Sequence, residues 1–531
     1  MDIVDLDYEE EQSADPLLPT SSSLRRAPRL TVKSWIRSTG RSVARYFPGR
    51  PRIRRKTWCF HFSVLFGFLF FLLILLPFLL PTYARPPAHF SRLDKACRTS
   101  KPEDGCANPS NEKVFITVAL YDPDGSIAGG KWGQSVLDLV HLIGKDNVYI
   151  SIYENDSGDP GRNALDSFKS QLARQDRTDF VIDEHVPVDD YFPTITIPGG
   201  SQAVKRLAYL SDMRNRALRA VDFKDPDNPI DEFDKMLFLN DAMFDPVEAA
   251  HLIFDTNAAE TKDGKANYLA ACAVDYNRVP IVQYDLYASR DAEGYAWGFF
   301  IFPYFSSAGK GISRKKTLAA SDAVPVRSCW GGMVAVQAKW VQDSLTIGNA
   351  ETVPFKKITN YTIDPDKPHN VTTPVRFRYE PEMFYDACEC CLFLADLSAV
   401  AARDGEWAMG DGIFVNPYVR VSYKERAFKW LRIVRHWEWL LTIPQYLVNT
   451  FANLPKNNPH REVVEGQPFK EEIWNIKEER WDMVDRIGRN GMFCGVRETQ
   501  LIEPGRREKE GLNWMSWEDG PWDSQQLYFP H

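Results

Sequence analysis

Several short clusters in this sequence combine residue types able to move a charged group. Glu154-Asn-Asp156-Ser-Gly-Asp159-Pro-Gly sets three acids with Ser and Gly on a tight loop. Carboxylates so placed accept hydrogen bonds from a base and a ribose, although the same composition also describes an ordinary Asp/Gly turn. Asn240-Asp241 follows the apolar run FDKMLFL. An acid at the end of such a run is shielded on its flanks and open at its tip, where it can hold Mg2+ or Mn2+ against a diphosphate, because hard cations take oxygen ligands. A helix-capping role for Asp241 fits the same position. Arg214-Asn215 reads as a helix charge beside that run. Glu389 opens the helical stretch ECCLFLADLSAVAARDG, where the helix dipole favours an acid. Ser328-Cys-Trp330-Gly-Gly joins an aromatic ring to glycines that permit close approach.

These clusters need a scaffold, and the intervening sequence supplies alternating elements. Val114–Leu120 (VFITVAL) is a buried-strand run. Val136, Leu139, Val140 and Ile143 share one face of a helix closed by Gly144. Strands are expected at 148–153, 180–186 and 233–239, with helices at 161–173 and 202–221. Such a βαβ alternation predicts an α/β fold of the Rossmann type, a mostly parallel sheet flanked by helices, with ligands beyond the carboxyl ends of the strands. No Gly-x-Gly-x-x-Gly follows the first strand and no Walker Gly-Lys-Ser/Thr occurs, so dinucleotide and P-loop chemistries are excluded. Short strands and loops are expected over 267–340, an insertion over 345–375, and a closing helix and strand at 388–403 and 412–423.

Charge and hydropathy place this body relative to a bilayer. Residues 16–56 carry twelve basic side chains and no acid, whereas residues 1–15 carry seven acids and no base. From Trp58 to Leu80 there is no Asp, Glu, Lys or Arg, a length able to cross ~30 Å of hydrocarbon. The basic flank predicts a type II single-pass protein: a cytosolic basic tail over 1–56, largely disordered, a transmembrane signal-anchor over 57–80, and the rest in a lumen of Golgi type. A lumenal stem at 81–111, a catalytic domain at 112–430 and a Trp-rich C-terminal appendage at 431–531 complete the organisation. Eight of the fifteen tryptophans lie in or at the edge of that last region. Sequons at Asn155, Asn360 and Asn370 and eight cysteines beyond the anchor suit an oxidising compartment. Cys97 and Cys106, nine apart, are the expected disulfide; Cys388, Cys390 and Cys391 lack metal-finger partners. The net charge of −8 argues against a nucleic-acid partner.

Taken together, NVYISIYENDSGD, YLSDMRNRAL, FDKMLFLNDAMF, AACAVDY, RSCWGG and FVNPYVRVSY resemble the fungal family of capsule-associated α-1,3-mannosyltransferases, and the order of the clusters resembles the GT-A glycosyltransferase layout. The resemblance runs from Lys113 to Tyr423. It implies a GDP-mannose donor, a divalent metal (Mn2+ or Mg2+), and transfer of mannose with retention to a glycan acceptor in cell-wall, capsule or glycoprotein synthesis. By position it implies Asp241 as catalytic metal and diphosphate ligand and Asn240 as a nucleotide-sugar contact, although the usual Asp-x-Asp reads Leu239-Asn240-Asp241 here and keeps one carboxylate. Glu154, Asp156, Asp159, Arg214 and Asn215 would face the nucleotide, and Trp330 and Ser328 the sugar or acceptor. Glu389 would be the catalytic acid nearest the anomeric carbon, and Tyr423 stands where related folds often place a metal-binding His. Expected partners are the nucleotide sugar, the glycan acceptor, the lipid bilayer through one helix, and other glycosyltransferases in a complex. The alternative is a non-catalytic glycan-binding or polysaccharide-export factor that keeps the fold; a lumenal glycosidase is a third reading.

Overall fold

Val114–Leu120 (β1) is β-branched or apolar at nearly every position because both of its faces are covered. Val114, Ile116, Val118 and Leu120 enter one core and Phe115 enters the other, following the period of two in a strand. Parallel partners flank it: Val148–Glu154 (β2) on one side and Lys235–Leu239 (β4) on the other, with Phe180–Asp183 (β3) beyond β2. The computed structural model describes residues 55–155, 157–173, 180–183, 186, 191–224, 232–343, 346–347, 370–502 and 514–516.

Five further strands complete a nine-stranded sheet: Ala270–Tyr276 (β5), Arg290–Asp291 (β6), Val324–Ser328 (β7), Met333–Gln337 (β8) and Ile413–Ser422 (β9), in the order β3-β2-β1-β4-β8-β5-β9-β7-β6. β8 runs antiparallel to both β4 and β5, and β9 runs parallel to β5. The carboxyl ends of β1, β2, β4, β5 and β9 therefore share one edge with the start of β8.

Helices cover both faces. Lys131–Ile143 (α3), Gly158–Ala173 (α4) and Pro246–Phe254 (α6) pack on the core that takes the even residues of β1, and Ile312–Leu318 (α7), through Leu318, and Glu389–Arg403 (α8) pack on the other. α6 starts at Pro246 because Asp245 caps the amides of Val247 and Glu248. Arg206–Ala217 (α5) lies across β1 and β2, where Thr117 and Ser151 hydroxyls both donate to the Ala217 carbonyl, at 3.0 and 2.7 Å. The helix expected over 202–221 is shorter, because Gln202–Lys205 pairs as a strand with Thr194–Thr196 and with Gln500–Ile502. Edge pairing there overrides a helical periodicity that continues into 202–205.

The chain divides into two units between Leu76 and Pro77, and the basic tail expected over 1–56 lies outside the described residues but for its last two positions. Arg55–Leu79 forms one helix (α1), whose described side chains, such as Phe60, Phe62 and Phe66, are largely exposed. Among the described residues taken alone, no helix is long and apolar enough to cross a membrane. In the second unit the segment expected as a stem is packed into the body: Tyr83, Phe90, Leu93 and Cys97 are buried, the last on the short helix Ser91–Cys97 (α2). Cys97 is bonded to Cys106, Cys272 to Cys329 and Cys391 to Cys494. That last bond, with buried Met492 and Phe493, joins the C-terminal region to α8. The region also contributes Glu425–Val434 (α9), Thr442–Phe451 (α10) and the hairpin Pro468–Asn475 (β10) with Arg480–Ile487 (β11).

Candidate active site

At the shared sheet edge β4 ends on Asn240-Asp241. Asn240 is a structural joint: its amide N–H donates to the Gly332 carbonyl, its carbonyl accepts from Trp132, and its carboxamide accepts from Trp330 at 3.1 Å and donates to the Tyr423 hydroxyl at 3.0 Å. Its carboxamide is thus held at both ends inside the protein. Asp241, one residue on, is exposed as a residue, and among the described residues it makes no ion pair. Lost hydration from the protein crowded around it raises its pKa, with Asp122 adding repulsion while Arg214 and Lys424 oppose. Asp122 does not compete as a ligand, since both of its oxygens accept backbone amides of Ile127 and Ala128.

A second pair of acids extends from β5. Asp275 is fully buried at the end of that strand; its Oδ1 accepts the Asp285 amide at 3.0 Å, and its Oδ2 has no hydrogen-bond partner among the described residues. Burial, reinforced by the Asp285 charge, pushes Asp275 up to about 8. Asp285 is half-buried, accepts the amides of Ala288 and Gly331, and is also raised, first by burial. Its electrostatic neighbours include Glu389 and Arg214. Tyr284 beside it is exposed and meets the Tyr423 ring edge-on at 5.1 Å.

Glu389 is buried at the first turn of α8, where Arg214 on α5 donates to it at 3.0 Å. The guanidinium lies over Trp330, 4.7 Å from the ring centroid, and retains 20% exposure. Trp330 itself is buried, against Phe238 and Phe377 as well as Arg214. It therefore braces Arg214 and offers no open face to a sugar, contrary to expectation. Gly331 and Gly332 explain how this segment fits: both hold positive φ, and a Cβ on Gly331 would lie 2.0 Å from the Ala273 carbonyl oxygen.

The structure thus brings together Asp241, Arg214, Glu389 and, through hydrogen bonds, Asn240 and Trp330. The other expected residues make contacts of their own. Glu154 is buried and accepts the Ser157 amide, shaping the turn after β2. Asp159 is 90% exposed and pairs with Arg162 on the outer face of α4. Asn215 clasps the backbone of Phe377 through both ends of its carboxamide. Ser328 is buried and donates to the Ala288 carbonyl. Asn155 is buried with its amide on the Tyr209 hydroxyl, unlike the exposed asparagine expected of a sequon, whereas Asn370 is exposed. Asp156 and Asn360 lie outside the described residues. Asp275 and Asp285 were missed in the sequence, although the rule that selected Asp241, an acid ending an apolar strand, applies equally to AACAVDY.

Two sets of side chains offer ligand atoms to a metal. Cys388, Glu389 and Cys390 bring a possible ligand atom each within 4.8 Å of one another. Their thiols are soft donors and their carboxylate is committed to Arg214, so this set does not suit Mg2+ or Mn2+. Asp241 fits better: an oxygen donor on an exposed residue, its pKa raised first by lost hydration and then by the Asp122 charge, which a divalent cation would offset.

A family model described as cryptococcal mannosyltransferase 1 matches residues 113–396, more than half of the chain. No curated protein matches it.

Proposed function

Because the chain belongs to the cryptococcal mannosyltransferase 1 family, we propose that it is a glycosyltransferase moving mannose from GDP-mannose to a glycan acceptor in an α-1,3 linkage with retention. The observation that carries this reading is the convergence of Asp241, the Asp275–Asp285 pair and the Arg214–Glu389 pair at the carboxyl ends of β4 and β5. The transfer breaks the bond between the mannose C1 and the phosphate oxygen and forms one from C1 to the acceptor oxygen, releasing GDP and a proton. Negative charge grows on the leaving diphosphate and positive charge on C1. Lys424, exposed at the end of β9, and the exposed edge of Arg214 are the cations available to the diphosphate. Asp285 is the half-open carboxylate available to the oxocarbenium-like centre, with Glu389 acting through Arg214. A bound Mg2+ or Mn2+ at Asp241 would neutralise diphosphate charge.

The GT-A type of sheet and a bilayer anchor through α1 belong to the same proposal, with the second unit in the Golgi lumen. The uncharged run Trp58–Leu80 and its basic N-terminal flank support the anchor. The test is transfer from GDP-mannose by the full chain beside Asp241→Ala. Turnover in the parent and a loss of roughly 10²–10³-fold in the variant are expected. Equal rates in both, or no turnover with the parent, would end the assignment.

A further inference from the structure

Apart from the site at the carboxyl ends of β4 and β5, the C-terminal hairpin closes a pocket of about 290 Å³ against residues 195–196 and 381–385. That volume lies near the lower end of small-molecule sites, room for a small ligand and too little for a folded partner. Trp474 and Trp481 are directly opposed across the β10–β11 hairpin, so they share one face; their rings meet edge-on at 5.6 Å, and Phe384 packs against both. Arg497 lies over Trp481 at 4.4 Å and pairs with Glu472 at 2.6 Å, both groups remaining about 30% exposed.

Every lining carboxylate is engaged: Glu472 pairs with Arg497, Glu382 and Glu471 share Arg486, and Glu471 also meets His460. With its charged groups engaged in this way, the wall holds none in reserve for an ionic ligand. It offers aromatic surface for apolar C–H groups beside donors and acceptors for hydroxyls, the combination that suits a polyhydroxylated neutral molecule.

The pocket wall is also rigidly linked to the cleft. Lys205, wholly buried, donates to the carbonyls of Glu380, Glu382 and Tyr385 and pairs with Asp386 at 2.6 Å. Asp386 and Ala387 then pair with Val496 and Gly495, and Glu389 follows two residues later. From Tyr385 to Glu389 the chain spans at most ~14 Å when extended. Hairpin and wall are further fixed by Glu479 accepting the Gly199 amide and by Phe384 donating to Thr499.

We propose that this pocket binds a neutral saccharide, the non-reacting part of the glycan acceptor; the acceptor role rests on the function proposed above, whereas saccharide binding does not. The full chain, Trp481→Ala and Glu472→Gln are titrated calorimetrically with mannobiose, with maltose and, separately, with GDP. Glu472→Gln guards against misfolding, since it changes one part-exposed charge and no ring. The expected result is binding of a disaccharide by the parent, weakened about tenfold or more in both variants, with GDP affinity retained. No binding of either disaccharide to the parent overturns the proposal, as does disaccharide affinity unchanged in both variants. Failure of the mannosyltransferase reading is recognised separately, as absence of turnover from GDP-mannose in a parent that still binds the disaccharide.

Discussion

Replacing Arg214 by Met tests whether the pair beneath the cleft is coupled as its geometry requires. Met keeps the aliphatic bulk over Trp330 but leaves Glu389, 4% exposed as a side chain, without its cation. Breaking a buried ion pair from one side costs about 3–5 kcal/mol. The lower end applies here, because Arg214 is one-fifth exposed and the amino end of α8 partly compensates a negative charge. The expected loss for Arg214→Met is thus about 3 kcal/mol. Glu389→Gln keeps the shape and leaves a guanidinium with some access to water, for about 1–2 kcal/mol. In the double variant neither charge is stranded, so the loss should fall short of the sum by about 1.5 kcal/mol or more. Urea unfolding of the full chain, followed by tryptophan fluorescence, measures all three differences. A double variant whose loss equals the sum to within about 0.5 kcal/mol would refute the coupling, and with it the view that Trp330 and Glu389 jointly fix the Arg214 head group.

Three further outcomes are expected. Folded Asp275 keeps its proton to about pH 8 whereas the unfolded chain releases it near the ordinary carboxylate value. Its burial therefore favours folding least at high pH, and stability should fall between about pH 4 and 8 with a slope of up to ~1.4 kcal/mol per unit. Asp275→Asn should flatten that slope in urea midpoints taken across the range; an unchanged slope counts against the assignment. Gly331→Ala sets a Cβ against the Ala273 carbonyl at a φ of +57°, so soluble yield or melting temperature should drop sharply, whereas Gly466→Ala, with nothing within 4 Å, should show a smaller loss from its positive φ alone. Reduction of Cys272–Cys329 and Cys391–Cys494, which close loops of 57 and 103 residues, should cost about 4–5 kcal/mol each on loop-closure arguments, seen as a lowered urea midpoint in dithiothreitol.

The elements that local chemistry specifies were legible in the sequence. Val114–Leu120, the α3 stripe closed by Gly144 and the α8 start at Glu389 each carry their own signal, and Asp241 follows from an apolar run that ends in an acid. What depended on pairing between distant segments was hidden. The insertion of β8 between β4 and β5 leaves no trace in periodicity, yet it buries Trp330 and turns a supposed sugar platform into a brace. Asn215 and Ser328 looked available because polarity was visible while their backbone partners, Phe377 and Ala288, were 162 and 40 residues away. Gln202–Lys205 is a strand because Thr194–Thr196 and Gln500–Ile502 lie on either side of it.

The bond between Cys391 and Cys494 also sets an order of events in time. Glu389 belongs to a helix whose first turn is tied to a residue made 103 positions later. At a synthesis rate of ~5–20 residues per second, that interval is of the order of 5–20 s. For that time the nascent chain has β1 to β5 and Asp241 but cannot have closed the tie that holds α8 beneath Arg214. A protein terminated between Ser422 and Cys494 would carry the whole sheet edge and a Glu389 helix without its disulfide tie, so that tie waits for Cys494 to be made.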